Sequence, residues 1–98
     1  NFKHFKKDAV LINAARGGIV NEKDLKEALE KKMIRAAACD AFVNEPPTGN
    51  DPLMQVKNFC ATPHIGADTE EALQRMGMEV VTDVLNVLEG KEPQYRVV

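Results

Sequence analysis

The amino-acid sequence predicts an α/β fold in which parallel strands are flanked by helices. Three short apolar runs, at residues 9–14, 35–40 and 58–62, have the length and composition of buried strands. Amphipathic segments at 22–32 and 69–89 have the length and spacing of helices. Strands that alternate with helices along a chain are typical of a parallel sheet.

Composition and charge exclude several classes of protein. The 98 residues are 44% hydrophobic and 29% charged, with a formal net charge of −2. Acidic and basic residues are interspersed, which is unlike a nucleic-acid-binding face or a polybasic membrane surface. No apolar stretch approaches the ~20 residues that span a bilayer. We therefore expect one domain or part of one, with no signal peptide and no metal-ligand spacing.

The first strand and the first helix follow directly from residue pattern. Residues 9–14 form a continuous apolar run, the pattern of a strand that is buried on both faces. Asn21 is a suitable N-cap for the following helix. Glu22 and Asp24 then lie in its first turn, near the positive end of the helix dipole.

The second strand is assigned against residue propensity. The run Arg35-Ala-Ala-Ala-Cys-Asp40 contains three alanines, which favour helix. It is too short for a helix, however, and the apolar pair Phe42-Val43 follows it. Residues 44–52 include three prolines and are predicted to form a loop. Leu53-Met54 is interpreted as a short turn or an anchor.

The third strand ends at Pro63, and a long helix is predicted over residues 69–89. Asp68 and Glu71 have the spacing of a capping box, with Asp in place of Ser or Thr. A wide apolar face predicts heavy burial of this helix. Gly90 is suited to end it, which leaves 91–98 as a tail. The central apolar stripe comprises Leu73, Met76, Val80, Val84 and Val87.

The two cysteines, Cys39 and Cys60, lie on separate predicted strands and form no CxxC motif. We expect both thiols to be buried and reduced, because the sequence does not have the framework of a small disulfide-rich protein. Reduced cysteines favour a cytoplasmic location.

Three chemically active residues, Arg16, Glu45 and His64, follow the ends of predicted strands. Ligands of open α/β sheets bind outside the carboxyl ends of the strands. A guanidinium binds a carboxylate in a bidentate manner and stabilises negative charge that develops on a ketone oxygen. Histidine is the usual acid/base near neutral pH, and a hydrogen-bonded carboxylate orients the ring and favours imidazolium. The set predicts a site that reduces a keto acid.

Each of these residues also has a purely structural interpretation. Arg16 could form an ion pair beside a Gly17-Gly18 turn, and His64 could be a structural loop histidine. Glu45 could be a solvated loop carboxylate. Asp40, at the end of the second strand, could simply cap its turn. The residue types alone leave these alternatives open.

Three motifs in order give the site a more specific interpretation: Asn13-Ala-Ala-Arg-Gly-Gly-Ile-Val-Asn-Glu22, Cys39-Asp-Ala-Phe-Val-Asn-Glu-Pro-Pro47 and Thr62-Pro-His-Ile-Gly-Ala67. Over about residues 9–92, the chain resembles the closing part of the D-isomer-specific 2-hydroxyacid dehydrogenases. The run after His64 is similar to the D-3-phosphoglycerate dehydrogenase and glyoxylate/hydroxypyruvate reductase branches. The resemblance implies that residues 1–90 are the second half of a Rossmann-like NAD-binding domain and that 91–98 lead to a substrate domain.

The resemblance also implies a role for each candidate. Arg16 would bind the substrate carboxylate and polarise the keto group, His64 would transfer the proton, and Glu45 would be its partner. The substrate would be a small 2-hydroxy or 2-keto acid, and the enzyme a homodimer. The residues that would contact the nicotinamide end of NAD are Ala14, Arg16, Asp40, His64, Ile65, Gly66 and Ala67.

The chain contains no G-x-G-x-x-G, the phosphate-binding turn of the first half of such a domain. We therefore expect a piece of a larger enzyme that is inactive alone and binds NAD weakly. An open sheet edge and an uncovered apolar stripe on the last helix would also make it marginally stable. Neither the 2-keto acid nor the choice of NAD over NADP is specified. Two alternatives are a non-enzymatic binding protein, like the corepressors that resemble this family, and a stand-alone interaction module.

Overall fold

Three parallel strands form the sheet in the computed structural model, which describes residues 1–98. They are β1 (Val10–Asn13), β2 (Ala36–Cys39) and β3 (Phe59–Ala61), in the order β1-β2-β3. A helix, α1 (Glu22–Glu30), connects β1 to β2, and a short 3-10 helix (Pro52–Gln55) precedes β3. The predicted α/β fold with a parallel sheet is confirmed.

The chain divides into two compact units, residues 1–66 and 67–98. The first contains the sheet and α1. The second contains the long helix α2 (Glu70–Leu88) and the tail that follows it. No helix of the structure combines the length and the apolar character that crossing a membrane requires.

The core of the first unit lies between α1 and one face of the sheet. α1 begins as predicted at Asn21, whose Oδ1 accepts a hydrogen bond from the backbone N–H of Asp24 at 3.0 Å. The helix ends at Glu30, two residues earlier than expected. The predicted anchor Leu53 is buried in this core. The buried members of the core cluster are Leu25, Ala28, Leu29, Ile34, Ala37, Cys39, Phe42 and Leu53.

The alanine-rich run forms the central strand of the sheet, β2, as predicted. Its backbone pairs with β1 on one side and β3 on the other, so sheet pairing outweighs the helical propensity of alanine. Ala37 and Cys39 point toward α1 and are buried. Their small side chains suit close packing of a helix against the sheet.

The expectation that β1 is buried on both faces is wrong. Ile12 is 72% exposed and Val10 is 45% exposed, because the first unit has one helix and covers one face of its sheet. In the strand register Ile12 lies beside Ala38, and Ala38 beside Cys60, so these side chains form a row across the open face. Cys60 is therefore exposed, contrary to prediction, while Cys39 is buried; both thiols are free.

The helix α2 differs from expectation at its start and in its burial. Thr69, rather than Asp68, is the N-cap, and its Oγ1 accepts a hydrogen bond from the Ala72 N–H at 3.1 Å. No residue of α2 is buried. The second unit contains only this helix and a short tail, which is too little chain to bury the stripe. Within the unit, the Asp83 carboxylate accepts backbone hydrogen bonds from the tail at 2.8 and 2.9 Å.

Gly17 brings the loop after β1 against the loop after β2. A Cβ atom at position 17 would lie 2.0 Å from the backbone oxygen of Phe42 and 2.6 Å from the nitrogen of Val43. The absence of a side chain at Gly17 therefore lets the two loops approach each other closely.

We expect Gly17→Ala to destabilise the chain by roughly 1–3 kcal/mol, because the added methyl group overlaps backbone rather than a movable side chain. Urea unfolding followed by circular dichroism measures the loss. Gly49→Ala is the matched control, since no atom lies within 4 Å of its added Cβ. Equal effects of the two substitutions would contradict the packing argument.

The core gives a second matched pair. Leu25→Ala removes a side chain that is 0% exposed, so we expect it to reduce the free energy of unfolding by about 2–5 kcal/mol. Leu88→Ala removes the same atoms from a side chain that is 77% exposed, and we expect a change within about 0.5 kcal/mol. A larger loss of unfolding free energy from Leu88→Ala than from Leu25→Ala would contradict the assignment of Leu25 to the core.

Candidate active site

The residues with predicted chemical roles lie on three loops at the carboxyl ends of the strands. The loop after β1 carries Arg16, the loop after β2 carries Asp40 and Glu45, and the loop after β3 carries His64. Parallel pairing places these loops at one edge of the sheet. The fold therefore gathers side chains that are up to about 50 residues apart in the sequence.

His64 and Glu45 form the central contact of this edge. The imidazole Nδ1 lies 2.8 Å from Glu45 Oε2, and Glu45 Oε1 accepts the backbone N–H of Phe42 at 2.9 Å. An ionised carboxylate only accepts hydrogen bonds, so Nδ1 is the donor. The imidazole Nε2 makes no hydrogen bond and is free to face a ligand. Both side chains are partly open to solvent, at 40% and 35% exposure.

Glu45 is held in its ionised form. Its pKa lies below the ordinary value, chiefly because His64 donates a hydrogen bond to it, and next because Phe42 does. The positive charge of Arg16 acts in the same direction, with the smallest effect of these contacts. The expected partnership of Glu45 with His64 is thus present in the geometry.

The backbone at His64 is itself unusual. Its φ is +61°, in the left-handed region that residues other than glycine rarely adopt. Such a conformation costs on the order of 1–2 kcal/mol and persists where surrounding contacts hold it. The contacts that hold this loop come from Asp40.

Asp40 ties the loop after β3 to the end of β2. Its Oδ1 accepts hydrogen bonds from Thr62 Oγ1 at 2.5 Å and from the Ile65 N–H at 2.9 Å. Its Oδ2 accepts the Gly66 N–H at 2.8 Å. These bonds, with that of Thr62 the largest cause, lower the pKa of Asp40. The Asp40 carboxylate therefore caps the loop after β3 and not its own turn.

Arg16 lies beside the His64–Glu45 pair but makes no ion pair. Its Nη1 donates to the backbone oxygen of Ala15 at 2.7 Å, and the side chain is exposed. The loop is held by Asn13, whose Nδ2 donates to the Arg16 oxygen at 3.0 Å and whose Oδ1 accepts the Ala15 N–H at 3.2 Å. Most of its guanidinium donors are therefore free for a ligand.

An apolar cavity of about 270 Å³ opens beside Asp40 on the uncovered face of the sheet. Of the predicted cofactor contacts, Arg16 and His64 do not line it, and Ala67 belongs to the second unit. No group of three His, Cys, Asp or Glu side chains is arranged to hold a metal ion. The predicted contacts that do line the cavity are Ala14, Asp40, Ile65 and Gly66, and the Ile12–Ala38–Cys60 row borders it too.

Sequence reasoning missed several residues that position this edge. Asn13 lies in an apolar run, but a buried amide at a strand end signals a structural hydrogen bond. Thr62 follows β3 and donates to Asp40. Glu22 lies near the helix dipole, but its Oε1 also accepts the Val43 N–H at 2.8 Å. Thr62 and Glu22 act through contacts between distant segments, and such contacts leave no local signal in the sequence.

The Asp40 contacts predict a pH dependence of stability. Because the native pKa lies below the ordinary value of 3.8, the ionised carboxylate stabilises the fold above that pH. The contribution is lost as the pH falls through the lower native pKa. We expect Asp40→Asn to be less stable than the wild type at neutral pH, and the difference to shrink in acid. Urea unfolding across an acid series measures it.

Asp68→Asn is the control for this series, because the Asp68 carboxylate accepts no hydrogen bond in the structure. We expect it to change the free energy of unfolding at neutral pH by less than Asp40→Asn does. A wild-type advantage over Asp40→Asn that persists unchanged in strong acid would contradict the assigned hydrogen bonds.

Comparison with known proteins identifies a family with these features. Residues 1–66 match the sequence model described as "D-isomer specific 2-hydroxyacid dehydrogenase, NAD binding domain". D-3-phosphoglycerate dehydrogenase of Methanocaldococcus jannaschii is 49% identical over 86 residues, which cover 88% of this chain and 16% of that protein. Glyoxylate/hydroxypyruvate reductase B of Enterobacter sp. (strain 638) is 43% identical over 89 residues, covering 91% and 28%.

Solved structures agree with the sequence matches. The crystal structure of a glyoxylate reductase from Paecilomyes thermophila superposes with a TM-score of 0.88 at 29% identity, over 98% of this chain and 29% of that one. The chain thus spans less than a third of the length of each of these relatives. The expected Rossmann-like NAD-binding fold is confirmed, and this chain belongs to the D-isomer-specific 2-hydroxyacid dehydrogenase family.

Proposed function

We propose that this chain supplies the acid/base pair and the carboxylate-binding arginine of an NAD(P)-dependent dehydrogenase that acts on small D-2-hydroxy acids. The observation that carries the proposal is the 2.8 Å contact between His64 Nδ1 and Glu45 Oε2 at the ligand-binding edge of the sheet. That contact fixes the ring and leaves Nε2 as the nitrogen that can exchange a proton with substrate. Family membership supplies the reaction class.

The proton transfer follows from this geometry. In the direction of keto-acid reduction, His64 Nε2–H gives its proton to the carbonyl oxygen while the carbonyl carbon receives hydride, which yields the hydroxy acid. In the reverse direction, neutral Nε2 takes the hydroxyl proton. Glu45 remains ionised throughout, because its pKa is lowered by the hydrogen bond from His64. Its charge stabilises the imidazolium that forms during oxidation.

Arg16 has a separate role in orienting the substrate. Its exposed guanidinium has donors free to bind the carboxylate of a 2-keto acid, and a planar fork matches a carboxylate in geometry. The same positive charge lies close enough to lower the pKa of Glu45. It is therefore also placed to stabilise negative charge on the keto oxygen as hydride arrives.

The cavity beside Asp40 fits one end of a nicotinamide cofactor. Its lining is mostly apolar, with the Asp40 carboxylate as a hydrogen-bond acceptor for a carboxamide, and its 270 Å³ is below the usual range for a whole ligand site. When bound, the nicotinamide supplies the hydride. We assign Ala14, Asp40 and the backbone of residues 64–67 to this end. Nothing in the chain favours NAD over NADP.

We further propose that residues 1–90 act as the C-terminal half of the NAD-binding domain and that 91–98 lead to a substrate domain. The missing phosphate-binding turn and the small share of the relatives' length that the chain spans support this. The free thiols of Cys39 and Cys60 suit a cytoplasmic enzyme. A homodimer, expected from the family resemblance, completes the proposal.

A chimera tests the acid/base assignment. The matching segment of the Methanocaldococcus jannaschii enzyme is replaced by this chain, and NADH oxidation is followed against a panel of 2-keto acids. We expect turnover, and we expect His64→Gln to lower kcat by about 10²–10⁴-fold, the usual contribution of a general acid. Binding of NADH, measured by fluorescence, should change little. His4→Gln, at the other histidine of the chain, should have no effect.

Two results would contradict the proposal. Equal losses from His64→Gln and His4→Gln would remove His64 from the chemistry. A folded chimera that binds NADH but turns over no 2-keto acid would favour the non-enzymatic binding protein instead. The 98-residue chain alone should show no turnover, and detectable activity would refute its dependence on a separate phosphate-binding half.

A further inference from the structure

A second cavity lies at the amino ends of the strands, the edge of the sheet opposite to His64. It has a volume of about 560 Å³. Each chain segment that leads into a strand contributes at least one basic residue to the cavity lining. Lys7 precedes β1, Lys32 and Arg35 precede β2, and Lys57 precedes β3. Three separate parts of the chain therefore bring four positive charges to one cavity.

These four charges have no acidic partner. The single acidic residue in the lining is Glu30, and its carboxylate is engaged with Lys26 at 2.6 Å. None of Lys7, Lys32, Arg35 and Lys57 forms an ion pair in the structure. This local excess of positive charge is opposite in sign to the formal net charge of the chain, which is −2.

The end of α1 does not account for this cluster. Lys31 occupies the C-cap of that helix and is paired with Glu27, so a lysine outside the cavity already lies beside the negative end of the helix dipole. Arg35 and Lys57 lie further along the chain, before β2 and β3. Four like charges around one space repel one another, and a bound anion would relieve that repulsion.

Part of the cavity lining is apolar, and the backbone of one lining residue is fixed by hydrogen bonds. Leu29 and Ile34, which are 2% and 1% exposed, form part of the lining from the core side. The backbone of Arg35 is held on both sides, because its N–H donates to the Ala9 oxygen at 2.9 Å and its oxygen accepts Asn58 Nδ2 at 2.8 Å.

We propose that this cavity binds a small polyanion that carries phosphate groups. Lysine ammonium groups and an arginine guanidinium are the side chains that proteins use for phosphate, and the volume lies within the range of small-molecule sites. The site is independent of the proposed dehydrogenase function, since none of its residues lies on the loops that carry Arg16, Glu45 and His64. Failure of either proposal leaves the other unchanged.

Titration of the ¹⁵N-labelled 98-residue chain with inorganic tripolyphosphate at about physiological salt tests the site. We expect saturable shifts of the backbone amides of Lys7, Arg35 and Lys57, and little change near His64. The triple variant Lys7→Gln, Arg35→Gln, Lys57→Gln should weaken binding at least about tenfold, since even one charge-assisted hydrogen bond is worth about that factor. These side chains are exposed, so the variant should keep its fold.

A second triple variant controls for net charge. This variant, Lys23→Gln, Arg75→Gln, Lys91→Gln, also removes three positive charges, but all three lie outside the cavity. Binding unchanged in this control supports the site, whereas equal weakening in both triples overturns it. Shifts confined to the His64 edge, or no saturable shifts at all, also overturn it. Citrate serves as a polycarboxylate probe, and tighter binding of citrate than of tripolyphosphate would refute the assignment to phosphate.

Discussion

The Asp40 carboxylate is the interaction on which the candidate active site depends. It joins the end of β2 to the loop after β3 through three hydrogen bonds, from Thr62, Ile65 and Gly66. His64 lies between these donors with a positive φ, so the same bonds hold its backbone in an unfavourable conformation. A charged acceptor suits this task, because hydrogen bonds to an ionised group are about twice as strong as neutral ones. The direction in which the imidazole points follows from this arrangement.

The loop after β2 is also held by a carboxylate that makes more than one contact. Glu45 uses one carboxylate oxygen for the Phe42 N–H and the other for His64, so the residue that contacts the imidazole also closes its own loop. Glu22, at the start of α1, accepts the neighbouring Val43 N–H. Gly17 packs against the same stretch of backbone from the loop after β1. These contacts, with the Asp40 bonds, fix the three loops against one another, while the imidazole Nε2 and most of the Arg16 guanidinium stay free.

The two faces and the two edges of the sheet carry different sets of residues. One face packs against α1 and contains the core, whereas the other carries the exposed Ile12–Ala38–Cys60 row and the cavity beside Asp40. The carboxyl edge brings together His64, Glu45 and Arg16, and the amino edge brings together unpaired cations. Parallel pairing explains this polarity, because every strand enters at one edge and leaves at the other. The family match over residues 1–66 is consistent with a functional edge at the carboxyl ends.

The sequence by itself determined the fold class, the positions of the strands and helices, the Asn21 cap and the family. These properties are local or appear as ordered motifs, since periodicity and capping residues report hydrogen bonding over a few residues. Only the tertiary structure decided burial and partnership: the open face of β1, the exposure of Cys60 and α2, and the role of Asp40 as a clamp for the next loop. Apolar pattern does not reveal how many elements are present to cover a face, and a carboxylate's partners can lie more than twenty residues away, as Gly66 does from Asp40.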